Sequence, residues 1–372
     1  MAFSFMNNSF LSIDIGFRLI KILQIKKKDD NLIEIVNFGI GNTPKDCIKN
    51  GAIKDKAKVI DEIRRVMQEN NLNAKEAKIV MSGTNIITRI IMLDNVSESE
   101  ISDMVYEEIE SFMPINLDEH SIDFKVLEHI NKGGKDMIRV FVTAVNKAII
   151  DSYVDILKAL NLKPISVDTP ANSISKLFNK DITIKQQANN NASLTRKKNY
   201  SLDSGTIAVL DFGSETTIVN IIKNKVLEFN RVILVGSTNI DRSIYDRIIV
   251  DKTKIDLAEK YKKQYGIVSK RDINNDMEWN CSEAAKVVVN DIVRNINTCF
   301  DFYIARCGGE KISKILITGG GSQLVGLREY LEEVFKLPCF TINSLEIAGV
   351  EFYKNLDNTR INYLGNAIGI AL

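Results

Sequence analysis

Histidine is nearly missing from this chain: 372 residues contain only His120 and His129. So few imidazoles exclude a histidine-based catalytic triad or a histidine-rich metal site, and both read as ordinary surface or packing residues. Cysteine is sparse and scattered. Cys47, Cys281, Cys299, Cys307 and Cys339 include no pair with zinc-ribbon or C-x-x-C spacing, which fits reduced thiols in a cytosolic protein. Neither sign of charge dominates. Lys and Arg number 49 against 48 Asp and Glu, so the net charge of +1 creates no field that would recruit nucleic acid or anionic lipid. No apolar run approaches the roughly 18 residues of a membrane span, and Met1–Phe10 lacks a signal-peptide pattern. No Gly-x4-Gly-Lys-Ser/Thr loop occurs, and no Gly-x-Gly-x-x-Gly follows a strand, which disfavours those nucleotide folds.

What remains is an ordinary soluble mixture, 45% hydrophobic and 26% charged, in a chain too long for one ordinary core. Two lobes or several subdomains are expected. The stretch around which they are organised is Val209-Leu-Asp211-Phe-Gly213-Ser-Glu-Thr216-Thr217. An apolar run breaks into Asp-x-Gly and then into small hydroxylated residues, as a buried strand does when it ends in a tight turn. The carboxylate can hold a hydrated cation, and the glycine lets backbone N–H groups approach a phosphate. Such turns also occur in hairpins that bind nothing. The signal is raised by Leu11-Ser-Ile13-Asp14-Ile15-Gly16, which has the same build 197 residues upstream. Two related halves facing each other are implied.

Between these turns the pattern alternates strand and helix. Leu11–Gly16, Leu19–Ile25 and Leu32–Phe38 read as a meander, and Asp55–Asn70 as an amphipathic helix with Val59, Ile60, Ile63, Val66 and Met67 on one face. Lys78–Ser82 and Ile86–Leu93 return to strand. Ser97-Glu-Ser-Glu100 is a capping box opening a helix to Met113, where Pro114 ends it. Strands at Ser121–Leu127 and Met137–Val145 follow, then a helix capped by Asn146, a strand at Lys163–Val167 and a helix from Pro170 to about Phe178. Asp181–Ser204 has no apolar periodicity and reads as a mobile loop; its Arg196-Lys-Lys198 triplet reads as solvated charge. Beyond the second turn come a hairpin at Val219–Phe229, a strand at Arg231–Val235 and helices at Ser237–Ile249 and Asp256–Tyr265. A long helix over Cys281–Phe302 is expected to bury Val287, Val288, Ile292, Val293 and Ile296. Asn362–Leu372 reads as a small-residue helix.

The third informative element is strand, Gly319-Gly-Gly321, helix, over Ile315–Leu327. Three glycines let a backbone pack edge-on against a flat ring or sugar, and the N–H groups that open the helix suit an anion or a ribose oxygen. A plain β–α turn is the competing reading.

Two Asp-x-Gly turns, the triple-glycine turn and two small connecting segments, in this order, resemble the actin, heat-shock-chaperone and sugar-kinase ATPase superfamily. Within it the chain is similar to the PilM family of type IV pilus assembly proteins, which is FtsA-like. Tyr106-Glu-Glu-Ile-Glu110-Ser-Phe-Met-Pro114, Leu117-Asp118 and the strand with Asp123 resemble that family's inserted subdomain. Ala258-Glu259-Lys260-Tyr261-Lys262 resembles its adenosine-side helix. The similarity runs from about Phe10 to Leu372, apart from the Asp181–Ser204 loop.

The resemblance implies an α/β, actin-like two-lobed ATPase fold with an inserted α+β subdomain in the first lobe. Residues 10–78 and 146–180 would form the first-lobe core, 79–145 the insert, and 181–204 the loop. Residues 205–240 and 313–372 would form the second-lobe core, with 241–312 its helical subdomain. It implies ATP and Mg²⁺ as ligands, with Asp14 and Asp211 holding the metal through water. Gly16, Gly213, Ser214, Thr216 and Thr217 would approach the phosphates, and Lys21 would offset their charge unless it is a solvated strand residue. Glu259 and Lys262 would reach ribose and base, although their i, i+3 spacing also suits a surface ion pair. Gly319, Gly320 and Gly321 would line the adenosine pocket. Asp168 falls where the superfamily orients attacking water, and also where it would N-cap the helix starting at Pro170.

Three departures from the pattern argue for binding over fast turnover, a slow ATPase at most. Phe17-Arg18 replaces the small hydroxylated residues of the first turn, Val235-Gly236-Ser237 replaces a Gly-Gly pair, and no catalytic Glu or Gln can be placed. The family implies a cytoplasmic scaffold, peripheral to the inner face of the membrane, that grips the N-terminal tail of a PilN-like membrane protein. Self-association is a further expectation. Ile79–Val145 would supply one wall of the tail groove. An FtsA-like filament former is the alternative, opposed by the chain stopping at Ile368–Leu372 where an amphipathic membrane helix would follow. A sugar kinase would need an Asp base among polar substrate ligands, and no such cluster is evident.

Overall fold

A computed structural model of the chain describes residues 9–112, 115–184, 202, 205–251, 253–254, 256–272, 275–306, 309–353 and 358–372. The first lobe opens with the antiparallel meander β1 (Ser9–Ile15), β2 (Leu19–Lys27) and β3 (Ile33–Asn42). Helix α1 (Lys56–Glu69) leads to β4 (Glu76–Met81), which pairs parallel to β1. The side chain of Asp55 caps α1 by accepting from Lys58 N, and Val59, Ile63 and Val66 form its buried stripe.

The insert follows. Strand β5 (Ile87–Asp94), α2 (Glu98–Phe112), β6 (His120–Lys132) and β7 (Lys135–Asn146) make a three-stranded antiparallel sheet in the order β5-β7-β6. Helix α2 packs Ile101, Val105 and Ile109 against it. At its start, Glu100 accepts from both N and Oγ of Ser97, which is the glutamate half of the expected capping box; Glu100 N donates to Ser97 O in place of the hydroxyl. Pro114 lies outside the described residues.

Helix α3 (Lys147–Ala159), capped by Asn146, returns to the first lobe, and β8 (Lys163–Asp168) adds to the outer side of β4. Helix α4 (Pro170–Leu177) then crosses toward the second lobe. There β9 (Thr206–Phe212), β10 (Thr217–Lys223) and β11 (Val226–Ile233) repeat the meander. Helices α5 (Ser237–Ile248), α6 (Asp256–Tyr265) and α7 (Asp276–Arg306) precede β12 (Ile312–Thr318), α8 (Leu327–Phe335) and β13 (Cys339–Thr341). Strand β14 (Val350–Phe352) and helix α9 (Gly365–Ala371) end the chain.

The two main sheets share one plan. The first runs β8-β4-β1-β2-β3-β14 and the second β13-β12-β9-β10-β11, the same topology with β14 added. β1 and β9 are the central strands, paired on both sides, which is why each reads as a nearly unbroken apolar run. Helices α1 and α3 cover the outer face of the first sheet, and α5, α7 and α8 that of the second. A middle core joins the inner faces. It includes Leu23, Ile25 and Phe38 from the first lobe, Ile207, Val209 and Leu316 from the second, and Ile174 of α4 and Ile368 of α9 between them.

Several expectations change. The first-lobe strand continues to Met81, so the insert begins after it. Residues 313–372 do not belong wholly to the second lobe: β14 pairs parallel to β3, and α9 packs beside α4 under the first sheet. Helix α9 is also shorter than foreseen, because Asn358–Tyr363 winds as a 3₁₀ turn. Ile182–Ile184, placed in the expected loop, is a strand paired with Leu345–Ile347, and Leu202 is buried with its N–H donating to Ile182 O. Asp181 O accepts from Ala348 N, and residues 185–201, 203 and 204 of that loop lie outside the described residues. In α7, Val287 is 46% exposed; Ala284, Ala285, Val289, Ile292, Val293 and Ile296 form the buried face.

Candidate functional site

The two lobes enclose a cleft of about 530 Å³, and both Asp-x-Gly turns and the triple-glycine turn converge on it. The turns match in detail. Gly16 N donates to Leu19 O at 3.0 Å, and Gly213 N donates to Thr216 O at 2.9 Å. Each aspartate ends a central strand, so its carboxylate is delivered to the strand's C-terminal end where the chain turns away. Asp14 and Asp211 are both buried.

Their environments differ. Lys21 Nζ donates to Asp14 Oδ2 at 2.8 Å, while Asp14 Oδ1 is buried without a hydrogen-bond partner. Asp211 Oδ2 accepts from Asn366 Nδ2 at 2.8 Å. Burial pushes the Asp211 carboxyl above the ordinary range, with the Asn366 hydrogen bond and nearby Lys21 acting the other way. Gly319 makes this arrangement possible. Its φ is 81°, and a Cβ there would lie 2.1 Å from Asp211 Oδ1. A second close approach holds the far turn: Gly236 packs on Ser214, and Ser237 N and Thr238 N donate to Gly213 O and Ser214 O.

Helix α6 carries Glu259 and Lys262 into the cleft, but they do not pair with each other. Lys262 Nζ meets Asp241 of α5 at 2.7 Å, and Glu259 meets Lys263 at 2.7 Å. Lys262 is 9% exposed, and its burial lowers the ammonium pKa, with Asp241 opposing that shift. Burial alone would raise Glu259; Lys263 and Arg18 outweigh it and hold the carboxylate below its ordinary value.

Of the residues expected here, Asp14, Gly16, Lys21, Asp211, Gly213, Ser214, Thr216, Glu259, Lys262, Gly319, Gly320 and Gly321 all line the cleft. Two do not. Thr217 is fully buried and its hydroxyl donates to Val235 O, because the strand's alternation turns it into the fold. Asp168 accepts from Thr169 N, Asn172 Nδ2 and Lys176 Nζ, and the N-cap of α4 is Thr169. The cap of α4 is thus Thr169 and not Asp168, whose carboxylate is engaged by its own helix outside the cleft lining. Asn366 and Asp241 were not foreseen. Asn366 meets Asp211 155 residues away, and Asp241 meets Arg18 223 residues away, separations that no local pattern encodes. Phe17 and Arg18, the departure in the first turn, both line the cleft.

A sequence model of the type IV pilus assembly protein PilM matches residues 12–372. The chain belongs to the PilM family of type IV pilus assembly proteins. It is 23% identical to the cell division protein FtsA of Neisseria meningitidis serogroup B over 396 residues, covering 96% of this chain and 88% of that protein. Among solved structures, a PilM–PilN type IV pilus biogenesis complex aligns with a TM-score of 0.76 at 18% identity, covering 97% of both chains. The ethanolamine utilization protein EutJ of Carboxydothermus hydrogenoformans aligns at 0.55 with 11% identity, covering 97% of this chain and 88% of that one. MreB 5 of Spiroplasma citri bound to AMPPNP aligns at 0.50 with 11% identity, covering 98% and 95%. The fold of this PilM-family chain is thus the actin-like, FtsA-like ATPase fold. No helix among the described residues is long and apolar enough to cross a membrane.

Proposed function

We infer that this chain is an ATP-binding scaffold of the pilus assembly platform, working through the interlobe cleft. The convergence of Asp14, Asp211 and the Gly319–Gly321 turn on one cavity carries the reading. Gly16, Gly213, Ser214 and Thr216 bring backbone and hydroxyl donors to the phosphates, and Lys21 offsets their charge. Glu259 and Lys262 face ribose and base, with Gly319, Gly320 and Gly321 giving the ring close backbone contact.

The donor set fits Mg²⁺ held largely by water and phosphate. Asp14 Oδ1 is a buried oxygen without a partner, and no group of three His, Cys, Asp or Glu side chains capable of caging a metal occurs among the described residues. Bound there, the ion would neutralise phosphate charge between the lobes. The engagement of Asp168 by Lys176 and Asn172 supports binding over rapid hydrolysis.

The partner is a PilN-like membrane protein whose cytoplasmic N-terminal tail this chain grips, holding it at the inner face of the membrane. The structural likeness to a PilM–PilN complex supports this, and the Ile79–Val145 region offers the wall for the tail. The similarity to FtsA favours self-association as a second reading, tested by sedimentation with ATP and lipid vesicles. For the main reading, calorimetric titration with Mg-ATP should show saturable binding that Asp211→Ala weakens about tenfold or more, one tenfold step being about 1.4 kcal/mol. Unchanged binding in that variant removes the ligand assignment. A synthetic PilN-like tail should be captured by the nucleotide-loaded protein; a folded, loaded protein that ignores it removes the scaffold.

A further inference from the structure

Arg18 stands in the first phosphate turn, two residues beyond Gly16, yet its side chain leaves that lobe. Its Nη1 donates to Asp241 Oδ2 of α5 at 2.8 Å, and its Nη2 donates to Glu259 Oε2 of α6. The backbone behind it is fixed from its own side, since Thr43 N donates to Arg18 O and Thr43 Oγ1 to Gly16 O. On the far side both carboxylates are shared: Asp241 also meets Lys262, and Glu259 also meets Lys263. Five charged groups thus form one chain across the cleft, Lys262–Asp241–Arg18–Glu259–Lys263.

This is not an ordinary surface ion pair. The side chains of Asp241 and its Lys262 partner are only 14% and 10% exposed, so solvent screens that inner part of the network weakly, while the Arg18 and Glu259 side chains, at 37% and 33%, form its more solvated outer part. A planar guanidinium can hold two carboxylates on separate helices at fixed angles, which a lysine ammonium does less well. The lobes also meet where α4 and α9 pack so closely that a Cβ on Gly369 would lie 1.9 Å from Ser173 O, and where Arg139 of the insert pairs with Glu228 of β11 at 2.7 Å. The Arg18 bridge is a further contact between the lobes, made from the first phosphate turn itself.

We propose that Arg18 is an interlobe tether and positioning residue, holding α5 and α6, with the adenosine-side Glu259 and Lys262, in register over the first phosphate turn. It takes the place in that turn where small hydroxylated residues would wrap a phosphate, and it spends its donors on the opposite lobe. Ligands that touch both lobes at once depend on the tether, whereas those that touch the second lobe alone do not. The ligand half of this proposal rests on the nucleotide reading above; the mechanical half does not.

The test uses the full chain with Asp241→Asn and Arg18→Lys. Asp241→Asn is decisive because two explanations give opposite signs. Removing a negative charge near the phosphates strengthens ATP binding if the network is merely a charge balance, whereas loss of the tether weakens it. The expected result is a rise of about three- to tenfold in the Mg-ATP dissociation constant for both variants, with adenosine affinity unchanged in Arg18→Lys, which leaves the Lys262–Asp241 pair in place. A gain in ATP affinity for Asp241→Asn, or wild-type behaviour of Arg18→Lys, overturns the proposal. In parallel, dyes at Asp61→Cys on α1 and Lys270→Cys on the second lobe report the interlobe distance by single-molecule energy transfer, without nucleotide. Both variants should broaden or lengthen that distribution, and an unchanged distribution overturns the tether. If the wild-type protein binds no ATP, the nucleotide reading falls while the distance measurement still decides the tether.

Discussion

Lys21 and Ile218 occupy the same place in the two lobes. Each lies seven positions after the aspartate of its turn and is that aspartate's partner across the first hairpin, Asp14 with Lys21 and Asp211 with Ile218. Both side chains line the cleft. The lobes therefore share a backbone plan and divide the charge: one carboxylate is paired with an ammonium, and the other is buried beside an amide and an aliphatic side chain. Asp211 has no cation across its hairpin, while Asp14 keeps one buried oxygen, Oδ1, without a partner.

Lys21→Met makes the first clamp resemble the second and leaves Asp14 buried without its ammonium. Removing one partner of a buried pair costs about 3–5 kcal/mol, and about 2–3 kcal/mol is expected here because the pair opens onto the cleft. The urea midpoint should fall accordingly. Adding Asp14→Asn should recover most of the stability and none of the Mg-ATP affinity. A single variant with an unshifted midpoint would show that Asp14 needs no cation.

Gly319→Ala should be costly while Gly320→Ala is mild. Gly319 combines a φ of 81° with a Cβ path blocked by Asp211, whereas a Cβ on Gly320 meets its nearest neighbour, Tyr363, at 3.6 Å. Strained backbone of this kind costs about 1–3 kcal/mol, to which displacement of Asp211 adds. Thermal melting of the two variants side by side checks the contrast, and equal melting temperatures would contradict the blocked path.

Asp168→Asn separates structure from chemistry. The aspartate organises the start of α4 through Asn172 and Lys176 and stays out of the cleft. Stability should drop by about 1.5–3 kcal/mol, the usual size for a hydrogen bond to a charged group, with Mg-ATP affinity and any slow hydrolysis unaltered. A selective loss of hydrolysis would return Asp168 to the reacting phosphate.

Much of this was legible in the sequence because the elements that matter are short and local. Val209–Gly213 and Leu11–Gly16 announce a buried strand and a turn through residue type alone, and three consecutive glycines announce close approach. The misreadings have physical causes. The buried stripe of α7 is carried by Cys281, Ala284 and Ala285 as much as by branched residues, so Val287 drew attention that small residues deserved. The i, i+3 pair of Glu259 and Lys262 is possible on any helix, and it lost to Asp241, a tertiary partner on another helix. Arg18, Asp241 and Asn366 are single polar residues whose meaning exists only once the lobes face each other. Strand β14 returning to the first sheet is likewise a long-range pairing, only three residues long, with no pattern of its own.

Lys78 gives a prediction of opposite slope to the alkaline loss of stability usual for a lysine that gains a carboxylate partner. It sits on β4, with Nζ donating to the carbonyls of Ile370 and Ala371 at the end of α9 and lying over the Phe10 ring. Burial lowers its pKa below the ordinary 10.5, and Lys176 and Lys27 act in the same direction against Asp168. Holding the charged form therefore costs stability in the fold. That cost is complete below the lowered pKa and fades as the pH rises from there toward 10.5, because over that interval the unfolded chain binds more protons than the folded one. Lys78→Met removes the titration along with the two carbonyl contacts, and only the titration depends on pH. The difference in unfolding free energy between wild type and variant should therefore shift in favour of wild type as the pH rises across that interval. Urea unfolding of both proteins at a series of alkaline pH values measures it. A flat difference would mean that the Ile370 and Ala371 carbonyls and the Phe10 ring stabilise the ammonium enough to cancel its burial.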